Sequence, residues 1–222
     1  MYKGILLDID NTLYEYEPLH AQAQAAVFEY IQRQFSIDRL IIEVQFKRAK
    51  LQIKQNTPTT AASHNRLLYM QNLCELLGLN VFENSLTLYN IYWDTFLEQL
   101  FLSDGAKILF SRYGHLPICL VTDLTAHIQH RKVARLNLSH WADHIVTSEE
   151  AGCEKPHPFM FQLAMQKLNL NANEVCMIGD NFKKDIEGAT RLGIHSYWLC
   201  PTEQHIQETN ISCINNLGDI QW

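Results

Sequence analysis

Five short runs of apolar residues, each followed by turn residues or acids, constrain the fold of this chain most strongly. They are continuous rather than alternating, which is typical of strands buried on both faces of a parallel sheet. The runs are Gly4 to Leu7, Ile118 to Val121, Ile145 to Val146, Val175 to Ile178 and Ser196 to Leu199. Stretches with helical spacing lie between them, at Ala126 to Leu136, Phe159 to Leu168 and Lys183 to Leu192. This alternation predicts an α/β fold with a doubly wound parallel sheet, a Rossmann-like core.

One long interval, from about Pro18 to about Leu102, has little strand signal. Its sequence predicts successive helices at Ala21 to Gln34, Ile41 to Lys54, Asn65 to Leu77 and Ser85 to Phe101. We therefore predict a core formed by residues 1–16 and 103–222, and a helical cap subdomain formed by residues 17–102.

Composition and charge limit the function. Of the 222 residues, 47% are hydrophobic and 19% are charged, which excludes disorder as the main state. The formal net charge of -6 does not favour a nucleic acid polymer or an anionic membrane as partner, but a small anionic substrate stays open. No apolar stretch approaches the roughly 18 residues of a membrane span, and the amino terminus lacks signal-peptide features. The six cysteines include no C-x-x-C pair, which predicts reduced thiols and a cytoplasmic location. The sequence does not indicate the oligomeric state.

Acidic residues follow two of the predicted strands. Asp8 and Asp10 come directly after the first strand, and Asp180 follows the strand that begins at Val175, with Asp185 five residues further on. Each group alone is also what an ordinary acidic turn looks like. Because the carboxyl ends of parallel strands meet at one edge of a sheet, we expect these carboxylates to converge. Such an oxygen-only cluster suits Mg²⁺ better than zinc.

Two further strand ends carry groups that an anion would need. Thr122 closes the strand Ile118 to Val121 with a hydroxyl, and Lys155 lies in the loop before Pro156. Taken singly, Thr122 is typical of a turn residue and Lys155 of a solvated charge. Their combination with the acids indicates an anion site.

At this point the sequence resembles the haloacid dehalogenase-like hydrolase superfamily, because four separated motifs occur in the right order. They are Asp8-Ile9-Asp10-Asn11-Thr12, Val121-Thr122, Lys155-Pro156, and Gly179-Asp180-Asn181 with Asp185. The helical block after the first motif is similar to the small cap of one subfamily. The chain as a whole is similar to the phosphatase branch of nucleotidases and N-acylneuraminate-9-phosphatase.

The resemblance implies a role for each acid. Asp8 would be the nucleophile that forms an aspartyl-phosphate, and Asp10 would act as general acid and then as general base. Mg²⁺ would be held by Asp8, the backbone carbonyl of Asp10, and Asp180. Asp185 would support the metal or position Lys155.

The resemblance also implies substrate contacts. Thr122 and Lys155 would hold the phosphoryl oxygens, and Asn11 belongs to the same predicted binding set. Arg66 in the cap is a candidate for pairing with a second acidic group on the substrate. Asp123 departs from the Asn of many relatives; it could face the anion or cap the helix from Ala126, and we favour the capping role.

The predicted function is therefore Mg²⁺-dependent hydrolysis of a small phosphorylated metabolite, such as a sugar phosphate or a nucleoside monophosphate. A cap over the crevice argues against a phosphoprotein substrate. One alternative is a 2-haloacid dehalogenase, although those enzymes lack the second aspartate that Asp10 supplies here. The other is a binding or regulatory module on the same fold.

Overall fold

The structure, a computed structural model, describes residues 2–200 and 209–222. The chain forms two compact units, one from Met1–Glu15 with Phe101–Trp222 and the other from Tyr16–Leu100. In the described residues, no helix combines the length and the apolar character that crossing a bilayer requires.

The first unit contains a six-stranded, fully parallel sheet. Its strands are β1 (Gly4–Leu7), β2 (Ile118–Thr122), β3 (His144–Thr147), β4 (Val175–Gly179), β5 (His195–Leu199) and β6 (Ile211–Ile214). The order β3-β2-β1-β4-β5-β6 places β1 and β4 side by side, with Leu6 paired to Met177. The strand order reverses between β1 and β4, which makes their carboxyl ends the topological switch point where ligands bind in such sheets. The predicted fold class is confirmed.

The second unit is helical and has an aromatic core. Its α-helices are α1 (Tyr16–Phe35), α2 (Arg39–Asn56), α3 (Arg66–Leu77) and α4 (Val81–Glu98), with a short 3₁₀ helix at Ala61–His64. Side-chain oxygens of Asp38, Asn65 and Asn80 accept backbone N–H groups at three helix starts, as N-cap residues do. The helical periodicity of the sequence therefore predicted all four α-helices; the bounds of α3 agree to within one residue, and those of the other three differ by up to five.

The remaining α-helices belong to the first unit. They are α5 (Asp104–Tyr113), α6 (Ala126–Arg135), α7 (Ser148–Ala151), α8 (Pro158–Leu168) and α9 (Glu187–Thr190). Helix α8 packs on β1, β2 and β3, where Met160, Phe161 and Ala164 meet Leu6 and Val121 in a fully buried cluster. The predicted helix Lys183 to Leu192 is instead a π-helical turn at Phe182–Ile186 followed by α9. This turn carries Asp185, whose side chain is buried.

One sequence expectation about the cysteines is wrong. Cys200, directly after β5, forms a disulfide with Cys213 in β6, whereas six reduced thiols were expected. The partners are 13 residues apart and become neighbours only because β5 and β6 pair in register. Spacing alone gives no sign of this contact.

Candidate active site

Three carboxylates meet at the switch point of the sheet. Asp8 follows β1, Asp180 follows β4, and Asp185 lies in the π-helical turn; each offers one oxygen, and these oxygens lie within 4.8 Å of one another. Asp8 and Asp185 are buried, at 4% and 1% exposure. The convergence that strand order predicts is therefore present for these three acids.

Backbone contacts hold this cluster in place. The Trp198 indole donates to the Asp180 carbonyl at 2.8 Å, and the Asn181 N–H donates to Asp185 Oδ2 at 3.0 Å. A Cβ atom on Gly179 would lie 2.5 Å from Asp185 Oδ2, so a glycine is needed there for the carboxylate to pack against the strand end.

Lys155 is a buried cation that contacts both Asp8 and Asp185. Its Nζ donates to Asp8 Oδ1 at 2.6 Å and to the Val121 carbonyl at 2.9 Å, and it lies 2.6 Å from Asp185 Oδ1. Burial opposes the charge of Lys155, but the negative charges of Asp185 and Asp8 outweigh it and raise its pKa well above the ordinary range. Lys155 is therefore charged at neutral pH.

Negative charge exceeds positive charge in this cluster. Burial, followed by the charges of Asp185 and Asp180, raises the pKa of Asp8 well above its ordinary value, although Lys155 counteracts them. Burial and the charge of Asp185 likewise raise the pKa of Asp180 to about 6. A divalent cation would relieve this repulsion, and three carboxylate oxygens are the kind of donor set that Mg²⁺ takes in proteins. The residues fit that ion.

Asp8 has a partner on each oxygen. The Thr12 hydroxyl donates to Asp8 Oδ2 at 2.9 Å, and Lys155 occupies Oδ1. These contacts fix the orientation of the buried carboxylate.

The side chain of Asp10 makes a separate set of contacts, outside the three-carboxylate cluster. Lys132 Nζ donates to Asp10 Oδ1 at 2.5 Å, Gln129 Nε2 donates to Oδ2 at 3.1 Å, and the Tyr14 hydroxyl also donates to Oδ1. Burial would raise the pKa of Asp10, but Lys132 and these hydrogen bonds lower it below the ordinary value. Gln129 Nε2 also reaches the buried Thr122 hydroxyl, at 2.7 Å.

Sequence reasoning missed Gln129 and Lys132. Both are fully buried on α6, three residues apart, and their letters are those of an ordinary exposed helix face. The one available signal is their position in the helix that directly follows Thr122, on the same face as the apolar Ile128.

The capping role favoured for Asp123 is wrong. Asp123 Oδ1 accepts the Lys155 backbone N–H at 3.0 Å, and Oδ2 accepts Lys184 Nζ at 2.7 Å. The Ala126 N–H at the start of α6 is instead bonded by Glu149 Oε2 at 2.7 Å. Asp123 therefore braces the loop that carries Lys155, and Lys184 neutralises its charge.

The two remaining predicted substrate residues lie in different units. Asn11 is exposed directly after Asp10 and has a left-handed backbone, with φ of 64°. Arg66 is 6% exposed in the helical unit, where it donates to the His64 carbonyl at 2.6 Å and to the Tyr16 hydroxyl.

The sheet order defines a Rossmann-like α/β fold that carries an acid–lysine cluster at its β1/β4 switch point. A family model for haloacid dehalogenase-like hydrolases matches residues 2–193. The chain belongs to this family, as its motifs suggested.

Relatives in this family carry phosphatase names. A ribulose-1,5-bisphosphate 5-phosphatase of Halopiger xanaduensis is 35% identical over 208 residues, which are 92% of this chain and 87% of that protein. A glyceraldehyde 3-phosphate phosphatase of Pyrococcus abyssi is 34% identical over 97 residues, 43% of this chain and 41% of that protein. The expected enzyme class, a hydrolase of this family with phosphatase relatives, is confirmed.

A solved structure shares the fold at lower identity. The crystal structure of a 2-haloacid dehalogenase from Pseudomonas syringae pv. Tomato is 20% identical, with a TM-score of 0.77 and coverage of 98% of this chain and 96% of that one. At this identity the likeness concerns the fold alone.

Proposed function

We propose that this protein is a Mg²⁺-dependent phosphatase that hydrolyses a small phosphomonoester through an aspartyl-phosphate on Asp8. The observation that carries the proposal is the state of Asp8: a buried carboxylate at the switch point, held by Lys155 and Thr12 and facing two further acids. The two further acids leave negative charge in excess around Asp8 in spite of Lys155, and a bound cation offsets that excess.

In the first half-reaction, an oxygen of Asp8 bonds to phosphorus as the ester P–O bond breaks. Asp10 gives its proton to the departing oxygen, which leaves as an alcohol. A bound phosphate dianion raises the pKa of a nearby carboxyl, so Asp10 takes up this proton as the substrate binds. Lys155 and Thr122 contact the phosphoryl oxygens and offset their charge.

In the second half-reaction, a water oxygen bonds to phosphorus and the Asp8–phosphorus link breaks. Asp10, now a carboxylate, takes a proton from that water. Asp8, Asp180 and the backbone carbonyl of Asp10 would hold Mg²⁺, with Asp185 supporting them. The ion would screen the repulsion between a negative nucleophile and a negative ester.

The proposed substrate is a small metabolite such as a sugar phosphate or a nucleoside monophosphate. The names of the relatives favour sugar phosphates. Arg66 in the helical unit is the proposed contact for a second acidic group, because a guanidinium pairs with a carboxylate or a phosphate through two parallel hydrogen bonds.

The test is hydrolysis of p-nitrophenyl phosphate with Mg²⁺ or with EDTA, by the wild type and by Asp8→Asn. We expect activity that needs Mg²⁺ and is lost in Asp8→Asn. The control is Asp104→Asn, an exposed aspartate at the start of α5, and this variant should keep full activity. Metal-independent turnover, or an active Asp8→Asn, contradicts the proposal. Chloride release from a 2-haloacid without metal would favour the dehalogenase alternative. A panel that includes ribulose 1,5-bisphosphate, glyceraldehyde 3-phosphate and nucleoside monophosphates then identifies the substrate.

A further inference from the structure

Helix α6 places two fully buried polar side chains beside the proposed acid–base residue. Gln129 and Lys132 are both 0% exposed, and they lie three residues apart on one face of the helix. Buried side chains of these types cost free energy unless hydrogen bonds and charges compensate. The compensation here comes from site residues.

Gln129 links two groups of the site. Its Nε2 lies 2.7 Å from Thr122 Oγ1 at the end of β2, 3.1 Å from Asp10 Oδ2 after β1, and 2.8 Å from the Asp123 carbonyl. One amide thus fixes the proposed phosphoryl-binding hydroxyl relative to the proposed acid–base carboxylate.

Lys132 forms a buried ion pair that stability alone does not explain. Its Nζ lies 2.5 Å from Asp10 Oδ1, and the Asp10 side chain is 23% exposed. Apolar residues of similar volume often stabilise a protein as well as a buried ion pair does. A retained charge at this position therefore points to a role at Asp10.

The contacts also distinguish the two oxygens of Asp10. A carboxylate offers about four lone-pair sites, two on each oxygen. Lys132 and Tyr14 both donate to Oδ1, whereas among residues 2–200 and 209–222 Gln129 is the one donor to Oδ2. Oδ2 keeps room for one more hydrogen bond, which is what a water molecule giving up its proton requires.

We propose that Gln129 and Lys132 are positioning residues that fix the Asp10 carboxylate so that its Oδ2 receives the proton of the attacking water. This inference rests on the proposed phosphatase function and deepens it. Asp10 serves both half-reactions, so a substrate whose leaving group needs no acid isolates the water step, which frees Asp8 from its phosphoryl group.

The experiment uses dinitrophenyl phosphate, whose leaving group departs without help from an acid. With saturating substrate and Mg²⁺, we expect Lys132→Met to release about one dinitrophenolate per active site in a burst and then to turn over about 10- to 100-fold more slowly than wild type. Gln129→Leu should behave alike, with a smaller loss. Lys167→Met is the matched control. Lys167, on α8, pairs with Glu150 of α7 at 2.7 Å and lies outside the site, so the turnover of Lys167→Met should equal that of wild type.

A double-mutant cycle separates positioning from a merely structural role. If Lys132 acts through Asp10, adding Lys132→Met to Asp10→Asn changes turnover by less than about 3-fold, because the group it positions is already gone. The inference is overturned if the two substitutions lower turnover independently, so that their fold-losses multiply in the double variant. It is also overturned if the burst of Lys132→Met shrinks in proportion to its steady-state rate, or if Lys132→Met turns over as fast as wild type. Loss of activity in Asp8→Asn, measured alongside, tests the phosphatase function separately.

Discussion

Lys155→Met removes the buried cation that contacts Asp8 and Asp185 while keeping a side chain of similar length. The side chains of Lys155, Asp8 and Asp185 are only 3%, 6% and 1% exposed, so water cannot replace the lost charge. Removing one partner of a buried pair typically costs about 3–5 kcal/mol of unfolding free energy. We expect a loss of this size at about pH 8 with EDTA present.

The loss should shrink as the pH falls. A carboxyl whose pKa is higher in the folded chain than in the unfolded chain binds a proton on folding, so the free energy of unfolding rises as the pH drops toward the unfolded value near 4. The pKa of Asp8 is already raised, and it rises further without Lys155. We expect the deficit of Lys155→Met to be about 1–2 kcal/mol smaller at about pH 5 than at about pH 8.

Urea unfolding followed by tryptophan fluorescence measures both effects, and Trp198, hydrogen-bonded to the Asp180 carbonyl, reports on the site. Lys107→Met, which breaks an exposed ion pair with Asp104, should leave the free energy of unfolding essentially unchanged. A Lys155→Met protein within about 1 kcal/mol of wild type, or a deficit that does not depend on pH, would show that Lys155 does not compensate the charge of Asp8 and Asp185.

Three further changes test other parts of the structure. Gly179→Ala should lower turnover at least about 10-fold and lower the free energy of unfolding by about 1–3 kcal/mol, because the added methyl group must displace Asp185. Steady-state kinetics and urea unfolding measure the two effects, and a fully active, equally stable variant would contradict the close contact between Gly179 and Asp185. Burial, followed by nearby positive charge, lowers the pKa of His20 to about 3, so below about pH 6.5 the unfolded chain binds more protons than the folded chain and the free energy of unfolding decreases as the pH is lowered. His20→Gln should remove up to about 2 kcal/mol of the stability that is lost between about pH 7 and pH 5, as measured by urea unfolding. Equal losses in His20→Gln and wild type would contradict the low pKa of His20. Cys213→Ser should lower the free energy of unfolding by about 2–3 kcal/mol under oxidising conditions, because it opens the link to Cys200, and no change in Tm would speak against that link.

The sequence predicted the parts of the site that lie at strand ends. Asp8 and Asp180 follow continuous apolar runs, and parallel strands bring their carboxyl ends to one edge whatever the details of packing. The short strand β6 was missed, because four residues with only Ile211 and Ile214 buried give neither a continuous nor a long apolar run.

The parts that depend on tertiary packing could not be predicted. Gln129 and Lys132 read as helix surface, and their burial follows from how α6 packs rather than from their own letters. Asp123 is a residue type that often caps a helix and it precedes α6 closely. Its carboxylate instead accepts hydrogen bonds from the Lys155 backbone and from Lys184, which are distant in sequence.

In the proposed mechanism, Asp8 carries the phosphoryl group during turnover. The most direct measurement is acid quenching of the Asp10→Asn variant, which is expected to be slow in the water step, after mixing with radiolabelled dinitrophenyl phosphate. We expect label that requires Mg²⁺, is released by hydroxylamine, and maps to the peptide containing Asp8. Turnover without any labelled protein, or label on another residue, would contradict it.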